Sequence, residues 1–505
     1  MSEAMDPSKG RRWLYGLLLL LTVGNLGWYL AEGLHRRTDM VTADPYYYLR
    51  FARNLADGSF HIDGVVSDLT RDYADAPPPG EAIAGPIWNT SIKSDGRMVY
   101  TIAMGYPLWL SLMLKLGGMG LCTISNYLLW VAVFTMVFLF VRESLGRDFP
   151  AAVTASCAAM MIPLLDYRTF AQMTYLWREP LFFACLLTAL YGYVRFLRTE
   201  KMLPLLFMAF ALGYACSTKE ANALHVPLFG LALLLSPGFR KQRMLRRILF
   251  MGLSFLVGAS PILIQNYLAS GNPLKSLQVV RATTAHLEQA GHGLHYSHIP
   301  ATFLGYMELY VWEGGFAVGW LVVVLAGVVV MWKRPAGRLL AGMSILHVLL
   351  YLMWGNPDYR HMYFMVIPCA CFSAAALVWL FRQLARSRSL RRVATPLLLV
   401  IPVYMTATRP SKWPADYKSE DRLTIADAIR FREFLTEHVE QPALLVSHRF
   451  VRDIIGIYTD IEVVRLTELE ALFKGGKQVE LSKVIDAARA KGINWYYLDN
   501  RDLDP

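Results

Sequence analysis

A chain of 505 residues that is 55% hydrophobic and only 18% charged is too apolar for an ordinary soluble enzyme and reads as an integral membrane protein. Its net charge of +11 does not point to nucleic acid, because the lysines and arginines form short clusters between apolar runs, with no basic face and no nucleic-acid motif. The six cysteines, Cys122, Cys157, Cys185, Cys216, Cys369 and Cys371, lie within or at the ends of apolar runs and read as small buried hydrophobes rather than metal ligands or disulfide partners.

The first apolar run, Trp13 to Leu30, is long enough to cross a bilayer, which takes roughly 20 apolar residues. Lys9, Arg11 and Arg12 precede it as in a signal peptide, but its length and the lack of a small-residue cleavage site predict a retained anchor. Directly after it come Asp39, Asp44, Tyr46, Tyr47, Tyr48 and Arg50. Residue types alone suit either an interfacial aromatic belt with solvated acids or chemistry on a substrate held by lipid. The first large loop, residues 32–120, is hydrophilic from Leu34 to about Arg97, and a loop this long is more often functional than idle. Within it, Pro107 near the start of Tyr100–Leu116 favours a short helix over a clean span.

Further spans are expected near Leu121–Val141, Ala151–Leu165, Pro180–Phe196, Leu203–Cys216, Ala221–Leu235, Ile248–Leu268, Phe316–Trp332, Leu339–Met353, Tyr363–Phe381 and Val393–Met405, about eleven with the first. Basic clusters fall in every second connection: the N-terminus, Arg142 with Arg147, Arg195 with Arg198 and Lys201, Arg240 through Arg247, Lys333 through Arg338, and Arg382 through Arg392. That alternation places the N-terminus in the cytoplasm. The opposite face then receives Asp39, Asp44, Asp166, Arg168, Arg178, Glu179, Lys219, Glu220, Asp358, Arg360 and the C-terminal tail. From Lys412 to Pro505 the composition is that of a small soluble α/β unit with a mostly parallel sheet: strands near Ala443–Ser447, Glu462–Leu466 and Asn494–Leu498, helices near Thr424–His438 and Leu481–Lys491. It has no glycine-rich phosphate loop, so no nucleotide is assigned to it. The division is thus a transmembrane domain over 1–411 and an extracytoplasmic domain over 412–505.

Several short motifs in this order carry a resemblance. Asp44-Pro45-Tyr46-Tyr47-Tyr48-Leu49-Arg50 resembles the D-P-Y/W-x-x-Y/L-R segment after the first transmembrane helix of oligosaccharyltransferase catalytic subunits. The Ala52–Gly58 run and Gly105-Tyr106-Pro107-Leu108 are similar to the first-loop segments of GT-C glycosyltransferases more broadly, protein O-mannosyltransferase-like enzymes included. Glu179-Pro180 resembles the Ser-Glu-Pro opening of a GT-C helix with Arg178 in the serine's place, and Thr218-Lys219-Glu220 the Thr-Arg-Pro-Glu turn with Lys219 in the arginine's place. Asp358-Tyr359-Arg360-His361 resembles the D-x-R-Y/H start of a late GT-C helix.

The resemblance implies an all-α polytopic GT-C-like membrane domain that moves a sugar from a polyprenyl-phosphate-linked donor. It implies Asp44 as the catalytic carboxylate, with Asp39 as second candidate, and a divalent cation, Mg²⁺ or Mn²⁺, held by Asp44, Asp166 and Glu179, since carboxylate oxygens suit both ions. Arg360, Lys219, Arg178, Arg168, His361 and Tyr47 are the expected substrate-binding residues, Arg360 first among them because its planar fork suits a phosphate. Each has a plainer reading: lipid head-group anchoring for Arg360, helix N-terminal stabilisation for Glu179, and a Lys219–Glu220 structural pair. The expected acceptor is a glycolipid, polysaccharide or protein, and the expected location a bacterial inner membrane, with lipids as the surrounding partners and no nucleic acid. Two features depart from an oligosaccharyltransferase: no Trp-Trp-Asp-Tyr-Gly signature is present and the tail is small. The alternative functions are a lipid-linked glycan flippase or transporter, which predicts charges at mid-membrane and repeated halves, and an oligosaccharyltransferase-like transfer of a whole glycan to protein.

Overall fold

The computed structural model describes residues 43–62, 82–84, 90–93, 97–146, 176–240, 244–275, 296–308, 318–353, 359–384, 433–440, 442–447, 461–465 and 481–498, with scattered positions between 16 and 31. Helix α1, Ala43–Ala56, opens the first loop. Pro45 sits in its first turn, where the missing N–H costs no helical hydrogen bond. The helix closes with Gly58 at φ +80°, the Ser59 N–H donating to Asn54 O (2.8 Å) and the Gly58 N–H to Leu55 O (3.2 Å), a Schellman pattern. A four-stranded antiparallel sheet of order β1-β4-β3-β2 follows, built from β1 His61–Ile62, β2 Ala82–Ala84, β3 Thr90–Lys93 and β4 Met98–Tyr100. Phe51 of α1 stacks on Tyr100 of β4 at 4.6 Å, so helix and sheet share one apolar cluster with Tyr47, Tyr48, Tyr106 and Leu110.

Helix α2, Gly105–Leu145, joins what the sequence separates into a surface helix and a span. The junction is a kink at Gly117 and Gly118, the latter at φ +64°, a left-handed backbone that glycine adopts without steric cost. Before the kink, Leu108, Leu112 and Leu116 are exposed while Tyr106, Leu110 and Met113 are buried. An apolar stripe on the outer face of a helix along the bilayer surface has this form. After the kink runs the membrane segment Ile124–Leu145.

The remaining helices of nine residues or more up to residue 384 are α3 Glu179–Thr199, α4 Met202–Thr218, α5 His225–Leu234, α6 Met244–Ser270, α7 Ile299–Met307, α8 Val318–Trp332, α9 Pro335–Leu352 and α10 Tyr359–Leu384. Four described helices are long and apolar enough to cross a membrane: Ile124–Leu145, α3, α6 and α9. Four shorter apolar ones are Met202–Thr218, Glu220–Leu234, Leu321–Trp332 and Phe364–Leu377. All eight fall on expected runs. Ala151–Leu165, Val393–Met405 and most of the first run lie outside the described residues. Helices α4 and α6 approach closely through glycines: a Cβ on Gly213 would lie 2.2 Å from Phe255 O, and one on Gly258 2.2 Å from Phe210 O. Small residues at such crossings let backbones meet where lipid gives no hydrophobic drive.

Near the C-terminus β5 Ala443–Ser447, β6 Ile461–Arg465 and β7 Asn494–Leu498 form a parallel sheet of order β6-β5-β7 with α11, Leu481–Ala490. Strand positions and parallel pairing agree with the sequence reading to within a residue. Leu444, Val446 and Ala488 belong to the same buried apolar cluster as Tyr47, Tyr48 and Tyr106.

Candidate active site

The site begins with how the chain enters α2. Gln265 of α6 is fully buried and uses its whole amide there: its Oε1 accepts from Met104 N (2.8 Å), and its Nε2 donates to Tyr100 O (2.9 Å) and Ile102 O (2.7 Å). One side chain thereby holds three backbone groups at the entry to α2. Next, Gly105 lies against the end of α4, where a Cβ would come within 2.6 Å of Ser217 C and O. Tyr214 donates to Gly105 O at 2.9 Å across the same contact. The glycine of the Gly-Tyr-Pro segment is what lets the surface helix touch the turn that carries Lys219.

Lys219 caps α4 with an extended backbone (φ −152°, ψ 111°) and leads into a 3₁₀ turn, Glu220–Leu224. Asn222 holds that turn by donating to Ala215 O at 2.9 Å, and Ser217 Oγ donates to Gly258 O at 3.0 Å. The ammonium is directed inward, 3.6 Å from Glu179 Oε1, with both residues almost wholly buried (6% and 5% exposed). Lys219 also stands over the rings of Phe182 (5.4 Å) and Tyr351 (5.2 Å). The carboxylate it meets is Glu179 at the start of α3. Taking an ion pair out of water costs several kcal/mol per ion, so a buried pair is weak evidence of stability and better evidence of use.

Around the pair, Arg178 Cζ lies 5.9 Å over the ring of Tyr48, and Tyr48 meets Tyr106 edge-on at 5.3 Å. Tyr48 is the neighbour of the expected Tyr47, which is buried in the same cluster. Burial, reinforced by Tyr48, Cys122 and Glu179, lifts the Tyr106 hydroxyl well above its ordinary range, so it stays a neutral O–H. Tyr106 Oη and Glu179 Oε2 are both buried without a hydrogen-bond partner among the described residues. Tyr106 Oη offers a donor and Glu179 Oε2 an acceptor, so beside a buried ammonium and a guanidinium they form a place for a polar group that carries both an acceptor and a hydroxyl.

Behind Lys219 the polar interior continues. Tyr351 packs on His347 at 4.7 Å, and His347 stacks with His225 at 6.2 Å, both histidines also facing Phe364 of α10. Sequence reasoning missed Tyr106, Tyr351, His225, His347 and Gln265. The available signal was an ionisable or amide side chain inside an apolar run.

Of the expected residues, Glu179, Lys219, Arg178 and Tyr47 are thus brought to one end of the helix bundle, at α1, α2, α3 and α4. Asp44 lies in the first turn of α1, one turn before Tyr48, and Arg360 and His361 in the first turn of α10, one turn before Phe364; their side chains are outside the described atoms. Asp39, Asp166 and Arg168 lie outside the described residues. Among the described residues no group of three or more His, Cys, Asp or Glu is arranged to hold a metal ion. Glu179 offers a cation only one oxygen, because Lys219 stands against the other.

Neither a protein-family model nor a curated protein sequence matches the chain. Solved structures do. The crystal structure of ArnT from Cupriavidus metallidurans bound to undecaprenyl phosphate aligns with a TM-score of 0.53 at 11% identity, over 97% of this chain and 90% of that one. The apo form of the same protein gives 0.52 at 10% identity over the same shares. The Archaeoglobus fulgidus oligosaccharyltransferase, in complex with Zn and sulfate, gives 0.50 at 14% identity over 89% of this chain and 62% of that one. This likeness shows that the chain, whose described helices include four long and apolar enough to cross a membrane, shares the fold of ArnT and of the archaeal oligosaccharyltransferase.

Proposed function

We propose that the protein is a membrane glycosyltransferase that moves a sugar from a polyprenyl-phosphate-linked donor to a glycolipid, polysaccharide or protein acceptor on the extracytoplasmic side of a bacterial inner membrane. The single observation that carries this is the buried Lys219–Glu179 pair with Arg178 beside it, at the end of the bundle where α1 begins with Asp44. The solved relative ArnT, of the same fold, was captured with undecaprenyl phosphate, a lipid of the required chemistry.

In this reading an acceptor hydroxyl attacks the anomeric carbon, the bond from that carbon to the phosphate oxygen breaks, and the acceptor proton passes to the Asp44 carboxylate. Negative charge grows on the departing polyprenyl phosphate, and Lys219, Arg178 and Arg360 are the groups suited to receive it. The Tyr106 hydroxyl donates to a sugar or phosphate oxygen, and Glu179 Oε2 accepts from a sugar hydroxyl. Asp44, Asp166 and Glu179 are the residues that would hold Mg²⁺ or Mn²⁺, which would supply further charge on the leaving phosphate. The charge alternation puts Asp39, Arg168 and His361 on the same face as this site, and the unit over 412–505 outside the membrane as a cap over it.

The test is transfer by purified protein from radiolabelled polyprenyl-phosphate sugars to membrane extracts, with and without Mg²⁺ or Mn²⁺. Asp44→Asn is expected to lower the rate by roughly 100-fold or more, the scale of a lost general base. Transfer that survives in Asp44→Asn overturns the assignment. Lipid-linked glycan moved across proteoliposomes without any sugar transfer would favour the flippase reading.

A further inference from the structure

Tyr106 and Tyr214 stand on the two sides of the contact between the surface segment of α2 and the end of α4, and their hydroxyls fare differently. Tyr214 Oη donates to Gly105 O at 2.9 Å. Tyr106 Oη, one residue along, is wholly buried and has no hydrogen-bond partner among the described residues. Keeping a buried hydroxyl unmatched costs stability that a phenylalanine in its place would not lose. The ring contacts of Tyr106, edge-on against Tyr48 (5.3 Å, 88°) in the apolar cluster of Leu110 and Cys122, are ones a phenylalanine also makes. The oxygen is therefore kept for something other than packing.

A second unmatched atom narrows what that is. Lys219 engages Glu179 Oε1 at 3.6 Å and leaves Oε2 buried and unpartnered among the described residues, and the Glu179 charge lies near enough to add to the lift of the Tyr106 hydroxyl. The phenol offers a proton and the carboxylate oxygen offers lone pairs, so one atom that completes both must accept and donate. Phosphate and ether oxygens only accept, and a protonated amine only donates; of the substituents on a simple sugar, the hydroxyl does both. Both protein atoms are fixed beforehand, Glu179 by Lys219, and Tyr106 through its neighbour Gly105, which packs on Ser217 and accepts from Tyr214. Neither is open to solvent, so a hydroxyl that meets them is enclosed, and a substituent that fails to match them is penalised strongly.

We propose that Tyr106, together with Glu179 Oε2, is the residue that selects the donor sugar: it reads one free hydroxyl, so the site takes a sugar that carries a hydroxyl at that position and turns away the deoxy, amino and O-acylated forms. The assignment rests on the sugar-transfer reading above and adds a sugar class to it.

The experiment measures binding of radiolabelled polyprenyl-phosphate sugars (glucose, galactose, mannose, xylose) to the purified full chain, with each monodeoxy and monoamino form of the bound sugar as competitor. In wild type, removing or aminating one particular hydroxyl is expected to weaken binding roughly 10- to 100-fold, the cost of leaving a buried donor and acceptor unmatched. In Tyr106→Phe that penalty is expected to shrink to about threefold or less, while the unfolding midpoint of the ligand-free protein holds or rises. Tyr214→Phe, which loses a hydrogen bond that is made, is expected to do the reverse, with a lower midpoint and an undiminished penalty. A panel of which no member binds overturns the sugar-transfer reading and the proposal with it. Binding in which every monodeoxy form equals its parent, or a penalty unchanged in Tyr106→Phe, as when water alone bridges the two atoms, overturns the proposal and leaves that reading standing. A midpoint that falls in Tyr106→Phe as it does in Tyr214→Phe gives the hydroxyl a structural partner and overturns the proposal without any ligand.

Discussion

Helix α3 sets a carboxylate against cations at each end, and the two ends treat water differently. At its C-terminal end Glu143 of α2 meets Arg195 at 3.1 Å and Arg198 at 3.4 Å, and the arginine side chains stay 32% and 35% exposed. At its N-terminal end Glu179 meets Lys219 at 3.6 Å with both side chains below a tenth exposed. Over 21 residues the ends are about 30 Å apart, one bilayer core. The arginine end keeps its guanidinium groups in reach of water and places cations where the helix dipole favours them, so it is an anchor. The lysine end is desolvated, ringed by Tyr351, Phe182 and Tyr48, and leaves Glu179 Oε2 unpaired, which serves no anchoring purpose.

Substitutions separate the two ends. Lys219→Met leaves Glu179 buried and unpaired, and is expected to cost about 3–5 kcal/mol in thermal or denaturant unfolding and to abolish sugar transfer. Adding Glu179→Gln should restore most of the stability and none of the transfer, since the pair then no longer needs compensation but the leaving group still lacks its cation. If transfer returns with stability, the pair is structural and the site assignment fails. Gln265→Leu removes three hydrogen bonds to the backbone at the entry to α2, at about 2–4 kcal/mol, read as a lower unfolding midpoint. Gly105→Ala drives a methyl into the Ser217 carbonyl, at about 1–3 kcal/mol. Because that contact sets where Lys219 stands, transfer should fall by more than the stability loss explains. Arg198→Gln at the other end should cost less than about 1 kcal/mol and leave transfer unchanged, because Arg195 still faces Glu143 and the arginine side chains are partly solvated.

Part of the candidate site was legible in the chain. Charge alternation separated Glu179 and Lys219 from Arg195 and Arg198, because basic clusters recur in every second connection. The surface segment before the span was legible in Pro107, but its fusion with the span into one kinked helix was not. Gly117-Gly118 reads equally as a linker or as a bend until neighbouring helices select one. The first loop was read as a hydrophilic stretch, whereas it holds α1 and a four-stranded sheet, since strands of two to four residues carry too little alternation to be recognised.

Sequence by itself determined the class of the protein, the position of its apolar helices, and the parallel strands Ala443–Ser447 and Asn494–Leu498, because hydropathy and its period are local properties. It also placed Asp44, Glu179 and Lys219 in recognisable short motifs. Only the tertiary structure decided that Lys219 reaches back to Glu179, that Gln265 of α6 holds the entry to α2, and that His225 and His347 stack behind the site. Those partners come from different helices, and their meeting depends on close backbone approaches at Gly105, Gly213 and Gly258 that no residue announces along its own segment.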